Sequence, residues 1–128
     1  MKQNVRRPTD AELPILQVLW DRGPTTVREV YRILNSGKAI GYTTVLKLMQ
    51  IMTDKGLVER DTDCRPQLYR ATLPRDQTER QLIKDLADRA FGGSARRLVM
   101  QALEEKRASP KELAQIEKLL NKLERGEK

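Results

Sequence analysis

The first half of the chain carries three consecutive segments whose apolar residues recur at helical spacing. The first segment opens on Thr9-Asp10-Ala11-Glu12, a capping-box pattern that marks the start of a helix. Its apolar stripe consists of Leu13, Ile15, Leu16, Leu19 and Trp20. Pro14 lies beyond the first helical position, so it should distort the opening turn or delay the start. Gly23-Pro24 then ends the helix.

The next two segments predict two more helices. Thr26-x-x-Glu29 is a second capping box, and the stripe behind it consists of Val27, Val30, Tyr31 and Leu34. The third helix begins after Gly41, and Gly56 is suited to end it in a left-handed C-cap. Its core-facing residues are Val45, Leu48, Met49 and Met52. The opposite face is polar and presents Thr43, Thr44, Lys47 and Gln50.

Two short segments of strand character, "LVERD" and "QLYRAT", follow the third helix and are joined by "TDCRP". They predict a β-hairpin that carries Arg60, Arg65 and Arg70. Three helices followed by a basic two-stranded hairpin is the element order of a winged helix-turn-helix. The fold class is therefore mainly α, with the hairpin as the wing.

Beyond Pro74 the sequence is purely helical, which predicts a boundary between residues 1–74 and residues 75–128. Asp76, Ser94 and Ser109 are each placed to cap a tail helix, and Pro110 and Glu112 strengthen the last of these starts. The apolar residues of the first two tail helices are Leu82, Ile83, Leu86, Ala90 and Phe91, then Leu98, Val99, Ala102 and Leu103. The last helix carries a near-heptad seam of Leu113, Ile116, Leu120 and Leu123.

Three helices of about 50 residues in all are too few to bury these stripes alone. They can dock on the winged-helix part or associate with a second copy, and the seam in the last helix favours the second copy. We therefore predict a homodimer whose interface contains Leu98 and the seam residues. Residues 75–128 are the predicted dimerisation region.

The composition favours some kinds of partner and argues against most catalytic and metal sites. The chain has 25 Lys and Arg against 18 Asp and Glu, a net charge of +7, no histidine and one cysteine, Cys64. The positive balance favours a polyanionic partner. Because histidine is absent, neither His-based acid–base catalysis nor a Cys/His metal cluster can form, and we predict no enzyme, metal or cofactor. Carboxylate-only chemistry remains formally open.

The sequence also bears on location. The N-terminal "MKQNVRRPTD" lacks the apolar core of a secretory signal, and no apolar run is long enough for a membrane span. A single cysteine cannot form an intrachain disulfide, which suits a reducing compartment. We expect a cytoplasmic protein without membrane insertion.

The front of the third helix is suited to nucleic acid. Short hydroxyl side chains at Thr43 and Thr44 can bond to phosphates or base edges, and a helix N-terminus favours phosphate. Lys47 and Gln50 lie further along the same face, and the hairpin arginines would contact flanking phosphates. Each feature alone has a structural explanation: the threonines as a cap, the arginines as solvated strand residues, and Tyr42 as a packing aromatic. The order of the elements together favours DNA.

The segments "PTDAELPILQVLWDRGPTTVREVYRIL" and "GYTTVLKLMQIMTDKGLVER", with the basic hairpin, resemble the penicillinase-repressor (BlaI/MecI) family of bacterial transcriptional repressors. The resemblance covers Pro8 to Leu73 in motif detail and the tail in layout. It implies a dimeric repressor that binds an inverted-repeat operator in double-stranded DNA, with Tyr42–Met52 as the recognition helix. The candidate DNA contacts are Tyr42, Thr43, Thr44, Lys47, Gln50, Arg60, Arg65 and Arg70.

The resemblance also implies a partner, because a membrane-bound sensor protease that detects β-lactam cuts the dimerisation region in family systems. The "LVMQALEEK" segment has Gln101-Ala102 instead of the Asn-Phe pair cut in the best-known members, so cleavage by that route does not carry over directly. Ile51 stands where many members have a basic residue, which removes one expected contact. With Cys64 alone, the copper-responsive branch and its C-terminal cysteine cluster are excluded.

Two other functions are also compatible with the sequence. A small-molecule-sensing winged-helix regulator needs a ligand pocket, and the tail offers one aromatic residue, Phe91, and few polar candidates to line it. A winged-helix protein-interaction module needs no nucleic acid, but it leaves the threonine and arginine surfaces unexplained.

Overall fold

A computed structural model describes residues 7–37, 39–105 and 109–124, without the side chains of residue 120 and residues 122–124. The described residues form six helices and one two-stranded sheet. In chain order the elements are α1 Leu13–Arg22, α2 Val27–Asn35, α3 Tyr42–Lys55, β1 Val58–Asp61, β2 Leu68–Ala71, α4 Arg75–Ala90, α5 Ala95–Glu105 and α6 Pro110–Glu124. This order confirms the mainly α, winged-helix fold class.

The capping box before α1 forms in both directions. Thr9 N donates to Glu12 Oε1 at 2.9 Å, and Glu12 N donates to Thr9 Oγ1 at 3.3 Å. These four residues form a turn of their own, and α1 begins only at Leu13. Pro14 therefore stands within the first two helical positions, where its missing N–H removes no intrahelical bond. The predicted delay of the helix start is confirmed.

The boundaries of α2 and α3 also follow local signals. Glu29 N donates to Thr26 Oγ1 at 3.1 Å, which caps α2 as predicted. At the end of α3, Gly56 has φ 83° and ψ 11°, the left-handed conformation that a side chain would disfavour. The N–H of Leu57 then returns to the carbonyl of Met52 at 2.9 Å, so the C-cap has the expected geometry.

The hairpin is antiparallel and lies next to the chain between α1 and α2. Val58 pairs with Ala71 and Arg60 with Tyr69, so these residues share one face of the hairpin. Thr25 adds a bridge to Tyr69 through two backbone hydrogen bonds of 2.9 Å each. The wing is thereby fixed to the start of α2.

The core lies where the first three helices meet the inner face of the hairpin. Its buried members are Ile15, Leu16, Val18, Leu19, Val27, Val30, Val45, Met49, Met52, Leu57, Val58 and Tyr69. Trp20 is half-buried against this cluster, and its Nε1 donates to the carbonyl of Leu73 at 3.0 Å. That bond fixes the chain as it leaves the hairpin towards α4.

The chain divides into two compact units, Met1–Leu82 and Ile83–Lys128. The division falls within α4, whereas the predicted functional boundary after residue 74 stays a prediction. Helix α4 begins at Arg75, so Asp76 lies inside its first turn, where its carboxylate accepts a hydrogen bond from Arg80. The prediction that Asp76 is the cap of this helix is therefore wrong. Pro74 ends the extended segment and supplies the first helical carbonyl, which Thr78 N uses at 3.3 Å.

The caps of the last two helices are as predicted. Ser94 Oγ accepts from Arg97 N at 3.1 Å, and Ser109 and Glu112 form a reciprocal capping box with bonds of 2.9 and 3.1 Å. Many apolar side chains of the tail helices remain exposed in the single chain: Ile83, Leu86, Val99, Met100, Leu113 and Leu119. Among the described residues, every helix is too short or too polar to cross a membrane.

Candidate nucleic-acid interface

The two faces of α3 differ as the helical period requires. Val45, Met49 and Met52 are fully buried in the core of Met1–Leu82. The outer face of α3, defined as Thr43, Thr44, Lys47 and Gln50, is exposed at all four positions. Ile51 joins it at 39% exposure. The predicted separation of core and polar residues on α3 is confirmed.

The start of α3 leaves the threonine hydroxyls out of the helix cap. The N-cap is Gly41, in an extended conformation, and no described side chain caps the helix there. Thr43 and Thr44 lie inside the first turn, so the explanation of them as cap residues is wrong. The first N–H groups of α3 keep their partial positive charge available to an outside acceptor.

Tyr42 packs sideways onto α2. Its ring meets the ring of Tyr31 edge-on, with 5.7 Å between centroids and 82° between planes. The guanidinium of Arg28 lies over the Tyr42 ring, 4.7 Å from its centroid. Tyr42 is half-buried as a result, which supports the packing explanation raised for it. The sequence analysis missed Arg28, because nothing local indicates a contact across 14 residues.

The three hairpin arginines, treated alike in the sequence analysis, have different surroundings. Arg70 lies opposite Glu59 across the hairpin and pairs with its carboxylate at 2.9 Å. Arg60 pairs in register with Tyr69, on the face shared with the core, and its side chain is exposed. Arg65 lies in the loop that joins the strands and is also exposed.

Most described cations of the first unit already have an anionic partner. The paired cations are Arg22 and Arg32 with Glu29, Lys55 with Glu12, Arg70 with Glu59, Arg75 with Asp21, and Arg80 with Asp76. Arg28, Lys47, Arg60 and Arg65 form no ion pair with a described carboxylate. Three of these four were predicted DNA contacts. A cation without an internal partner keeps its full attraction for an external anion.

One buried charge in this unit was not predicted. Glu12 as a whole residue is 2% exposed, and its carboxylate accepts a hydrogen bond of 2.7 Å from Lys55 Nζ in the last turn of α3. The same oxygen accepts from Thr9 N. A capping residue of α1 therefore also fixes α3, and a partner 43 residues away left no local signal in the sequence.

Cys64 lies in the wing loop as a free thiol. Partial burial and the carboxylate of Asp61, to which Sγ donates at 3.5 Å, raise the pKa of this thiol above its usual range. The nucleophilic thiolate is correspondingly scarce at neutral pH. No group of three His, Cys, Asp or Glu side chains in the described residues is arranged to hold a metal ion.

The predicted dimer residues differ in exposure. Leu113 is 48% exposed and Ile116 is half-buried, whereas Leu98 is buried within the tail unit. The side chains of Leu120 and Leu123 lie outside the described part of the chain. Leu119, which was not assigned to the seam, is the most exposed large apolar side chain described, at 55%.

The sequence is similar to known proteins along most of its length. Residues 8–122 match the family model described as penicillinase repressor. The transcriptional regulator BlaI of Mycobacterium tuberculosis is 31% identical over 119 residues, in strain CDC 1551 / Oshkosh and equally in strain ATCC 25618 / H37Rv. The match covers 91% of this chain and 85% of that regulator.

Proposed function

The chain belongs to the penicillinase-repressor family of transcriptional regulators, and on that premise we propose that it is a dimeric repressor which binds an inverted-repeat operator in the cytoplasm. Each copy would place the outer face of α3 in the major groove of one half-site, with the wing against the flanking backbone. The function of this family is regulatory and not enzymatic, and its members act on DNA.

One observation carries the proposal for DNA contact. Four described cations of the first unit form no ion pair with a described carboxylate, and they lie in α3, in the wing and at the start of α2: Lys47, Arg60, Arg65 and Arg28. The uncapped N-terminus of α3 adds N–H donors at its front, beside the hydroxyls of Thr43 and Thr44. Phosphate contacts would fix the register of the protein, and the short polar side chains of the outer face would read base edges.

The exposed apolar side chains of the tail support the dimer. Contiguous apolar surface on a small chain usually marks a site of association. We assign residues 75–128 to dimerisation for this reason, with the exposed Leu113 and the half-buried Ile116 as candidate residues. Leu98, which is buried, and Leu120 and Leu123 are candidates from the sequence pattern alone. A two-fold dimer matches the symmetry of an inverted repeat.

A membrane-bound sensor protease is the proposed inducing partner. Its candidate target, Gln101-Ala102, lies within α5 and is exposed. A protease needs an extended substrate, so cleavage there requires α5 to unwind locally. The same event would detach the end of α5 and all of α6 from the winged-helix part, which would weaken the dimer and its binding to the operator.

Fluorescence anisotropy with a duplex from upstream of the protein's own gene tests the proposal. A scrambled duplex runs in parallel, and both are titrated at several salt concentrations. We expect selective binding at two chains per site. The logarithm of the binding constant should fall linearly with the logarithm of the salt concentration, with a slope of about −0.9 for each neutralised phosphate. Lys47→Ala should weaken operator binding. Equal, weak binding of both duplexes by the wild-type protein would contradict the proposal.

A further inference from the structure

A cationic groove lies between the front ends of α2 and α3 and the wing loop. Its volume is about 580 Å³, and its polar lining comes from Thr26, Arg28, Tyr42, Arg65 and Gln67. Arg28 approaches from α2 and Arg65 from the loop between β1 and β2. The buried Tyr69 lines the groove as well, and the polar side chains together include two guanidinium groups and no carboxylate.

Neither guanidinium has a described carboxylate partner within the first unit. Arg28 and Arg65 form no ion pair with any described carboxylate, although Glu29 directly follows Arg28 in sequence. The Glu29 carboxylate instead pairs with Arg22 and Arg32. Two like charges that face one groove repel each other unless an anion enters between them.

The orientation of Arg28 has a specific cause. Its guanidinium lies 4.7 Å from the centroid of the Tyr42 ring, within the range of a cation–π contact. The Tyr42 ring is itself held edge-on by Tyr31, 5.7 Å away. Two aromatic rings thus restrict a long side chain that would otherwise move freely, and they leave its N–H groups available.

We propose that Arg28 and Arg65 bind one DNA backbone phosphate in this groove, and that Tyr42 is a positioning residue which holds Arg28 for that contact. The inference rests on the proposed function and adds to it a contact residue outside α3 and the wing. A guanidinium donates two parallel hydrogen bonds to a phosphate, and such charge-assisted bonds are among the strongest in proteins. The phosphate position is fixed relative to α3, because Tyr42 is the first residue of that helix.

The contact should stabilise binding to every sequence alike. A phosphate carries no base information, so Arg28 would set the register of the protein on the duplex while the outer face of α3 selects bases. Tyr42, predicted from the sequence as a direct DNA contact, acts in this arrangement through Arg28.

Salt-dependent anisotropy on the operator and the scrambled duplex tests the assignment. Arg28→Ala should lower the affinity for both duplexes on the order of tenfold. It should also reduce by about one the magnitude of the salt slope, which is the slope of the logarithm of the binding constant against the logarithm of the salt concentration. Arg32→Ala is the matched control, because Arg32 lies on the same helix, is exposed and pairs with Glu29. It should leave the slope unchanged. Circular dichroism on each variant confirms that the fold is intact.

Variants of Tyr42 separate positioning from direct contact. Tyr42→Phe keeps the ring under Arg28 and should bind like the wild type. Tyr42→Leu removes the ring and should lose part of the affinity, but it should cause no further loss when Arg28→Ala is already present. A loss of affinity in Tyr42→Phe would instead show that the hydroxyl contacts DNA, and would overturn the positioning role.

The outcomes distinguish the inference from the function on which it rests. If the wild-type protein selects the operator and Arg28→Ala matches Arg32→Ala in affinity and slope, the groove assignment falls and the repressor stands. If the wild-type protein binds both duplexes equally, but Arg28→Ala still loses one unit of slope, the phosphate site stands and the repressor falls. Binding to neither duplex overturns both.

Discussion

Whether an arginine of the wing is available to bind phosphate depends on whether a carboxylate of the protein already pairs with it. Arg70 has Glu59 across the hairpin, at 2.9 Å, whereas Arg65 in the loop has no described anionic partner. An arginine that leaves an internal partner to bind phosphate loses one interaction for each that it gains. We therefore rank Arg65 above Arg70 as a phosphate contact, although the sequence presents them as equivalent.

Substitutions at Thr44 and Arg65 should separate base reading from phosphate contact. Thr44→Ala should reduce the discrimination between operator and scrambled duplex by roughly 1–3 kcal/mol, because a contact to a base edge is lost. Arg65→Ala should lower the affinity for both duplexes by the same factor. Anisotropy at one fixed salt concentration measures both effects.

The matched control for Thr44→Ala is Thr53→Ala on the same helix. The Thr53 hydroxyl donates to the carbonyl of Met49 at 2.8 Å, far from the front of α3. It should leave discrimination unchanged. Equal losses on the two duplexes for Thr44→Ala would remove Thr44 from the specificity residues.

At the scale of elements, α3 is held at both ends by different means. Tyr42 at its start packs on α2, and Lys55 in its last turn reaches the buried carboxylate of Glu12 before α1. The Lys55 side chain is only 14% exposed and that of Glu12 only 3%. Removing one partner of such a pair leaves a buried charge without compensation, which costs more than the pair itself contributes.

Lys55→Ala should therefore destabilise the protein by about 3 kcal/mol. Urea unfolding followed by circular dichroism measures the change in the free energy of unfolding. Arg80→Ala is the control, because Arg80 and Asp76 form an ion pair in which both side chains are 73% exposed. Its effect should stay below about 1 kcal/mol. Similar small values for both variants would mean that water or another group compensates Glu12.

These elements also show what the sequence can predict. Caps such as Ser109 with Glu112, and the two faces of α3, depend on residues within a few positions of each other, so their patterns are visible in the sequence. The contacts of Lys55 with Glu12 and of Arg28 with Tyr42 depend on how helices pack, and no local pattern encodes them. The same limit explains why the hairpin arginines looked alike before the strand register was known.

At the scale of the whole molecule, the two units use apolar residues differently. The first unit buries eight of its thirteen predicted stripe residues and packs the other five half-buried against them, while the tail leaves Ile83, Leu86, Val99 and Met100 at 40–49% exposure. A chain that exposes this much apolar surface is either a marginally stable fold or half of an interface. The proposed dimer accounts for the exposure.

Leu113→Asp should dissociate the dimer, because it places a charge on the proposed interface. Leu113 is 48% exposed in the single chain, so the fold of the monomer should tolerate the change. Sedimentation velocity should show the mass of one chain, against two chains for the wild type. Lys118→Asp, an exposed charge change on the same helix, is the control and should leave the mass at two chains. An unchanged mass for Leu113→Asp would contradict its place in the interface.

The N-terminus of α3 has no side-chain cap among the described residues, and adding one should raise thermal stability while weakening the proposed binding to DNA. Gly41 has φ −79° and ψ 153°, which any residue adopts, and an added Cβ would meet only the Thr44 hydroxyl at 4.0 Å. Gly41→Asp should therefore raise the free energy of unfolding by roughly 0.5–1 kcal/mol. Its carboxylate would occupy the N–H groups proposed for phosphate, so anisotropy should show weaker DNA binding, whereas Gly41→Ser caps without a charge and should lose less. A laboratory selection for thermotolerance alone would therefore favour aspartate at this position and yield a more stable protein that represses its gene less tightly.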